Sequence, residues 1–157
     1  MTTKGSMMRR LAAAACPVLL SGAVLASGAA GARASVPAPG SVSFHVLGGF
    51  HLKRVETKDG KTSTALLLCS SNTFGNGAAT IHGVGNMKDP TAACEQLNAV
   101  NGDLTKLNVH PAWMAPALVA QVHVEAHGTW KGVKIEYAHD FHNGGALAKQ
   151  TGDVFAL

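Results

Sequence analysis

Two neighbouring segments, residues 118–126 and 129–141, constrain the fold most, because apolar and polar side chains alternate along both. Successive side chains of a β-strand point to opposite faces, so a period of two predicts half-buried strands. The apolar residues that share a face within each segment are Val122, Val124 and Ala126, then Val133, Ile135 and Tyr137. With His127-Gly128 between the segments, the pattern predicts a β-hairpin.

The sequence upstream of this hairpin predicts further strands. Residues 41–47 alternate in the same way, and Gly48-Gly49 is expected to end that strand. Asp59-Gly60 is typical of a hairpin turn. The continuous apolar run at residues 65–69 predicts a strand buried on both faces. The glycine-rich stretch 70–88 is interpreted as a mobile loop.

A helix is expected to begin after Asp89, a good N-cap residue, with Pro90 at its first position. The core-facing residues at i, i+4 and i+7 are Ala93, Leu97 and Val100. Asn101-Gly102 supplies a left-handed stop. A second, short helix is predicted at residues 146–150 and a terminal strand at 154–157. Strands with segregated helices indicate an α+β sandwich built on an antiparallel sheet.

The first 34 residues are typical of a secretory signal peptide. Three basic residues precede an apolar run at 11–26, and Ala32-Arg33-Ala34 fits a small-x-small cleavage site. The apolar run is shorter than a membrane span needs, and Pro17 and Gly22 interrupt it. We therefore expect cleavage, secretion and no membrane anchor in the mature protein. Residues 35–40 then form a short linker, and residues 41–157 one domain.

The net charge of +4 is set by this N-terminal segment. Four of the 13 basic residues lie in it, so nine basic and nine acidic residues remain in the rest of the chain. A nearly neutral domain lacks the clustered positive charge that nucleic-acid binding requires. Nucleic acid is therefore not an expected partner.

Cys69 and Cys94 are the two cysteines of the predicted mature protein. An even pair in an exported protein indicates one disulfide, here between a strand and a helix, although two buried free thiols would fit the same count. The chain has no Cys-x-x-Cys pair, which argues against a structural zinc site or a redox site.

The order of the later elements resembles the Streptomyces subtilisin inhibitor family, small secreted inhibitors of subtilisin-like serine proteases. The resemblance covers residues 89–157 without an evident gap and residues 41–157 more loosely. It is carried by the capped helix, a proline-bearing apolar segment at 114–119, the sequence Gly128-Thr129-Trp130-Lys131-Gly132, and the tail Val154-Phe155-Ala156-Leu157. The family fold implies about five antiparallel strands, two short helices and often a homodimer.

The resemblance also implies a reactive loop that enters a protease as a substrate would. Its residues here are Met114, Ala115, Pro116, Ala117, Leu118 and Val119. Ala117 falls at the primary specificity position, so the scissile bond would be Ala117-Leu118. Met114 corresponds to a large apolar residue that fills a second pocket of the protease, and Pro116 to the proline that precedes the specificity residue.

Several positions depart from the family pattern. A second family disulfide ties the reactive loop to a site near the C-terminus, but those positions are Ala115 and Gly144 here. Val119 and Gln121 stand where members often carry an aromatic residue and a proline. These differences predict weakened inhibition, because only Pro116 and packing would hold the loop. The alternative is a secreted binding or scaffold protein on the same fold, with residues 114–119 as a plain crossover.

The histidines suggest a third function class. His123, Glu125 and His127 alternate and so share one strand face, with His139 and His142 on the next element. Such side chains can bind zinc or copper, yet ordinary polar alternation explains the pattern as well. No catalytic triad order, Gly-x-Ser-x-Gly motif or phosphate-binding glycine motif is present. The prediction is therefore a protein that is not an enzyme, without cofactor or metal.

Overall fold

A twisted antiparallel sheet organises the protein. The computed structural model describes residues 40–157, and within them five strands lie in the order β3-β2-β1-β4-β5, each pair antiparallel. The elements in chain order are β1 (Val42–Glu56), β2 (Lys61–Phe74), β3 (Thr80–Gly85), α1 (Pro90–Ala99), a 3₁₀ turn (Leu104–Lys106), β4 (Val122–Trp130), β5 (Val133–Phe141) and α2 (Gly144–Thr151). The predicted α+β class, with five strands and two helices, is confirmed.

The core lies between one face of the sheet and the two helices. Its fully buried members include Leu52, Leu67, Val124, Leu97 and Phe155. Leu147 of α2 is also buried, as are the small residues of α1 that face the sheet. The opposite face of the sheet has no helix over it within residues 40–157, and it remains exposed.

Helix α1 begins and ends where its sequence predicts. The Asp89 carboxylate accepts a hydrogen bond from the Ala92 N–H at 2.9 Å, and Pro90 occupies the first turn. The chain then turns at Asn101 and Gly102, which have φ values of 52° and 79°. Gly102 packs directly on the ring of the buried Trp130, and a Cβ there would overlap that ring. The left-handed stop therefore also makes room for the largest core side chain.

The disulfide joins α1 to the sheet. Cys69 of β2 and Cys94 of α1 are bonded, with their Cα atoms 5.5 Å apart, and neither residue is exposed to solvent. The predicted pairing is present in the structure, and the free-thiol alternative is not.

Two dipeptides that contain glycine, Gly48-Gly49 and His127-Gly128, are predicted to end strands but lie inside them. Gly48-Gly49 does not end β1, which continues to Glu56 with a register shift between Val46 and Gly48. A Cβ at Gly48 would overlap the carbonyl oxygen of Thr129 on β4, so this glycine allows a close approach of two strands. Likewise β4 runs through His127-Gly128 to Trp130, and the hairpin turns at Lys131-Gly132, whose φ values are 47° and 80°.

The burial predicted for residues 65–69 was wrong, and so was the loop predicted at 70–88. Leu66 and Leu68 are 62% and 49% exposed, because the helices cover only the other face of β2. Residues 70–74 extend β2, and Thr80–Gly85 form the edge strand β3. The glycines of this stretch favoured a loop prediction. Glycine residues can nevertheless pair within a sheet through their backbone hydrogen bonds.

The remaining differences concern segment ends. Residues 118–121 precede β4 without strand structure, although they were predicted to begin it. Residues 154–157 form a turn and a coil, not a strand, yet Val154 and Phe155 are buried in the core. The predicted signal peptide lies outside the described residues, as does nearly all of the linker. Of the helices in residues 40–157, neither has the length and apolar character needed to cross a membrane.

Candidate functional site

The apolar segment 114–119 is exposed on the surface, in the connection from the 3₁₀ turn to β4. Met114 is 96% exposed, Leu118 73% and Val119 64%, and the three residues between Met114 and Leu118 are exposed as well. An exposed run of apolar side chains is unusual in a soluble domain and typically marks a contact surface. We call residues 114–119 the loop.

Asn143 fixes the backbone of the loop. Its amide nitrogen donates hydrogen bonds of 2.7 Å to the carbonyl oxygens of both Pro116 and Leu118. These carbonyls flank Ala117, so one side chain holds the backbone on both sides of the residue between them. Asn143 is only 4% exposed. Because the donor side chain is buried, the two hydrogen bonds are partly protected from competition by water.

The same side chain also begins helix α2. The Oδ1 atom of Asn143 accepts a hydrogen bond of 2.8 Å from the Ala146 N–H, which makes Asn143 the N-cap. All three hydrogen-bonding positions used by the amide are therefore satisfied by backbone groups. Because the cap fixes the orientation of the amide, its nitrogen is held towards the loop.

Gly145 supplies the surface on which the loop rests. A Cβ at this residue would come within 2.5 Å of Cδ of Pro116, a separation that no side chain can occupy without a shift. The neighbouring Gly144 differs, because the nearest atom to its Cβ position belongs to the Arg54 guanidinium at an ordinary 3.6 Å. The close packing of Pro116 against α2 thus depends on Gly145 and not on Gly144.

Backbone hydrogen bonds anchor the chain on both sides of the loop. Before it, the N–H groups of Val109 and His110 donate to the carbonyls of Gln150 and Lys149 at 3.1 and 2.9 Å. After it, the Ala120 N–H donates to the His142 carbonyl at 3.0 Å. Helix α2 and the residues next to it therefore frame the whole connection, at its start, its middle and its end.

The two positions at which the resemblance implies a second disulfide, Ala115 and Gly144, lie next to the residues that the Asn143 hydrogen bonds connect. Ala115 precedes Pro116 on the loop, and Gly144 follows Asn143 as the first residue of α2. The Asn143 hydrogen bonds thus connect the same two segments that a covalent bond at these positions would connect.

The loop contains no group that could perform acid, base or nucleophilic chemistry. The sequence has no ionisable side chain between His110 and His123. What the loop presents is a fixed backbone with small and apolar side chains, which is suited to binding by another protein's cleft. The Arg54 guanidinium, which lies beside Gly144, pairs with Glu56 at 2.8 Å.

The histidine face lies elsewhere, on the exposed side of β4. The predicted common face of His123, Glu125 and His127 is present: the two His123 ring nitrogens contact Asp140 at 2.7 Å and Glu125 at 3.1 Å. These carboxylates, Asp140 above all, raise the pKa of His123 above its usual 6.5. A hydrogen bond from Lys53 is the largest cause that lowers the pKa of Glu125.

This face forms an ion-pair network, and the described residues contain no group of three or more His, Cys, Asp or Glu side chains arranged to hold a metal. His139, which was considered with this set, packs instead against the aromatic ring of Phe141, with 4.6 Å between ring centroids. Polar alternation on a solvent-facing strand accounts for the histidine pattern.

Sequence reasoning proposed residues 114–119 as a loop, and it missed Asn143 as the residue that holds them. The sequence Asn143-Gly144-Gly145 by itself indicates only a break after the second hairpin strand. The available signal was the asparagine itself, a preferred N-cap residue before a short helix. That the other end of its amide reaches residues 116 and 118 could not be found without the fold, because the contact spans more than 20 residues.

Comparison with known proteins found one matching family and one related protein. Residues 53–143 match the sequence model of the family described as subtilisin inhibitor-like. A Streptomyces avermitilis protein named "Putative serine protease inhibitor" is 43% identical over 65 residues, which make up 41% of this chain and 44% of that protein. The match therefore spans less than half the length of this relative.

A solved structure also resembles the fold. It is Streptomyces caespitosus sermetstatin, crystallised in complex with Bacillus licheniformis subtilisin. The likeness has a TM-score of 0.41 with 21% sequence identity, and it covers 73% of this chain and all of the other.

Proposed function

This chain belongs to the subtilisin inhibitor-like family, and on that basis we propose that it is a secreted inhibitor of subtilisin-like serine proteases whose reactive loop is residues 114–119. The observation that carries the proposal is the pair of Asn143 hydrogen bonds on either side of Ala117. A plain crossover between two elements has no need of a buried side chain that fixes the two carbonyls around one exposed residue.

The loop would act as a substrate that is cleaved slowly. Binding is favoured when the bound conformation is already present, since little conformational entropy is then lost. Asn143 and Pro116 supply this order on the side before the scissile bond Ala117-Leu118. The bond to the Leu118 carbonyl supplies it on the other side. After cleavage both new ends would remain attached to Asn143, which favours resynthesis over release.

Side-chain size sets the expected target class. Ala117 is too small to contact a trypsin-like pocket that requires Lys or Arg. A cleft of the subtilisin or elastase type accepts a small residue. Met114 is almost fully exposed in the free protein, so it can bury more apolar surface than Ala117 on binding and should contribute more affinity.

Lack of the second disulfide should make inhibition weak or temporary. Ala115 and Gly144 leave the loop tied by hydrogen bonds, which open far more readily than a covalent bond. A double substitution, Ala115→Cys with Gly144→Cys, should strengthen and prolong inhibition. Formation of the bond is checked by intact mass, and the reduced form of the same variant is the matched control.

We also propose a homodimer formed through the exposed face of the sheet. Seven apolar side chains of β1, β2 and β3 lie on this face and are each about half exposed or more: Val42, Phe44, Val46, Leu66, Leu68, Phe74 and Val84. Several exposed apolar side chains on one face of a sheet are characteristic of an interface. Sedimentation equilibrium of the wild type and of Leu66→Lys tests the proposal, with a monomeric wild type as the contradicting result.

Secretion and domain boundaries remain part of the proposal. A disulfide buried in the core suits an oxidising compartment, which supports export. The proposed mature chain begins near Ser35, after a signal peptide of 34 residues, and it consists of one inhibitor domain at 41–157. N-terminal sequencing of protein exported from a secreting host measures the cleavage site.

The decisive experiment is an inhibition assay of the purified mature protein against subtilisin, with trypsin and elastase for comparison. Ala117→Met should tighten inhibition of subtilisin, and Ala117→Lys should shift inhibition towards trypsin. If neither variant changes inhibition of any of the three enzymes, residues 114–119 are not a reactive loop. The secreted scaffold interpretation would then replace the inhibitor.

A further inference from the structure

An aromatic stack lies directly before the loop. It is separate from the contacts of Asn143 and Gly145 that hold the loop itself. The rings of His110 and Trp113 are parallel to within 7°, with 3.7 Å between their centroids. Trp113 is nevertheless 53% exposed, so one face of the indole is covered by imidazole and much of the remainder is open to solvent. Holding an exposed tryptophan in one orientation costs side-chain conformational entropy. A fixed orientation therefore indicates that the position of the ring has a role.

The residues between the two rings form a tight turn. The Trp113 N–H donates to the His110 carbonyl at 3.0 Å, which closes a four-residue turn with Pro111 at its second position. Proline has a fixed φ that suits this position of a turn. A further hydrogen bond anchors this turn to helix α2, because the His110 N–H donates to the Lys149 carbonyl at 2.9 Å. Backbone, proline and ring stack therefore all restrain the same four residues.

The turn lies directly before the exposed Met114. Met114 follows Trp113 immediately and is 96% exposed, so no contact of its own side chain fixes its direction. On the other side of the loop, Asn143 holds Pro116 but does not reach residues 114 and 115. Among the described residues, the restraint that the structure shows on the N-terminal side of Met114 is the stacked turn at 110–113.

We propose that Trp113 is a positioning residue, which acts through its stack on His110 to fix the direction of Met114 for binding by the protease. The proposal rests on the inhibitor function above. It adds that the rings of His110 and Trp113 restrain residues 114 and 115, which precede Pro116 in the loop. Trp113 acts here through Met114, and direct contact between its indole and the protease is the competing role.

Inhibition constants for subtilisin test the proposal through two pairs of residues, His110 with Trp113 and Trp113 with Met114. Trp113→Ala and His110→Ala should each weaken inhibition about 3- to 10-fold, the range expected for loss of one aromatic pair. The double variant should be no weaker than either single one. Trp113→Phe, which keeps a ring on His110, should restore most of the inhibition. In a Met114→Ala background, Trp113→Ala should have no further effect.

Two results would overturn the positioning role. If His110→Ala inhibits like the wild type while Trp113→Ala is weak, the indole contacts the protease directly. If Trp113→Ala weakens inhibition equally with and without Met114, the two residues act independently. Thermal unfolding of each variant is measured alongside, and a loss of inhibition that simply follows a loss of global stability also counts against the proposal.

The same variants separate this inference from the inhibitor function. If the wild type inhibits none of the proteases tested, the inhibitor function fails, and cleavage of residues 110–118 by excess subtilisin then decides the positioning claim. Mass spectrometry locates and times the cuts. Faster cleavage in both His110→Ala and Trp113→Ala supports a restraining stack, and rates equal to the wild type overturn it.

Discussion

Replacing Asn143 by Asp separates the two tasks of this side chain. The carboxylate keeps an oxygen for the Ala146 N–H, and Asp is as good an N-cap as Asn. It cannot donate to the carbonyls of Pro116 and Leu118, so both loop hydrogen bonds are lost. Each neutral hydrogen bond contributes about 1 kcal/mol, which gives about 2 kcal/mol for the pair. The carboxylate oxygen that replaces the amide nitrogen also repels these two carbonyl oxygens, so we expect subtilisin inhibition to weaken at least about 30-fold.

Asn143→Ala is the matched comparison, because it removes the donors and the cap together. Its inhibition should fall by about 30-fold, and by no more than that of the Asp variant, whose carboxylate also repels the two carbonyl oxygens. Its free energy of unfolding should fall below that of the wild type by about 1 kcal/mol more than the two loop hydrogen bonds account for, the typical contribution of an N-cap. Inhibition constants and urea unfolding curves measure the two quantities separately. An Asp variant that inhibits within twofold of the wild type would refute the role of the amide in holding the loop.

Three further predictions concern the support of the loop, the disulfide in the core and the ion pair on the exposed face of β4. Gly145→Ala should displace the loop and weaken subtilisin inhibition at least tenfold, while Gly144→Ala, which has room for a methyl group, should stay within twofold. Cys94→Ala should lower the free energy of unfolding in urea by about 2–5 kcal/mol, and a smaller loss would show that the disulfide contributes little. The raised pKa of His123 means that its ion pair with Asp140 stabilises the folded state fully below pH 6.5 and is lost as the pH rises through the raised value. The melting temperature of Asp140→Asn should therefore lie further below that of the wild type at pH 5.5 than at pH 9, and an equal difference at both would contradict the assignment.

Features set by neighbouring residues could be predicted from the sequence. Asp89 and Pro90 begin α1, and Asn101-Gly102 end it, because capping depends on a few consecutive residues. The alternation in β4 placed Val124 in the core for a similarly local reason. Such signals need no knowledge of what the element packs against.

Features set by distant partners could not be predicted. Gly48 resembles a strand end, and only the approach of the Thr129 carbonyl explains why it lies within β1. Leu66 is exposed because the helices cover one face of the sheet, a fact of topology. The place of the candidate loop followed from a resemblance, but its support by Asn143 depends on a contact that only the fold reveals.

The most direct test of the proposed mechanism is the site at which subtilisin cuts the mature protein. The protein is incubated with a small molar fraction of active subtilisin, and the products are identified by mass and by N-terminal sequencing. We predict one slow initial cut that produces a new N-terminus at Leu118, with enzyme activity suppressed until the cut protein accumulates. Rapid first cleavage at another bond, with subtilisin fully active throughout, would contradict the assignment of residues 114–119 as a reactive loop.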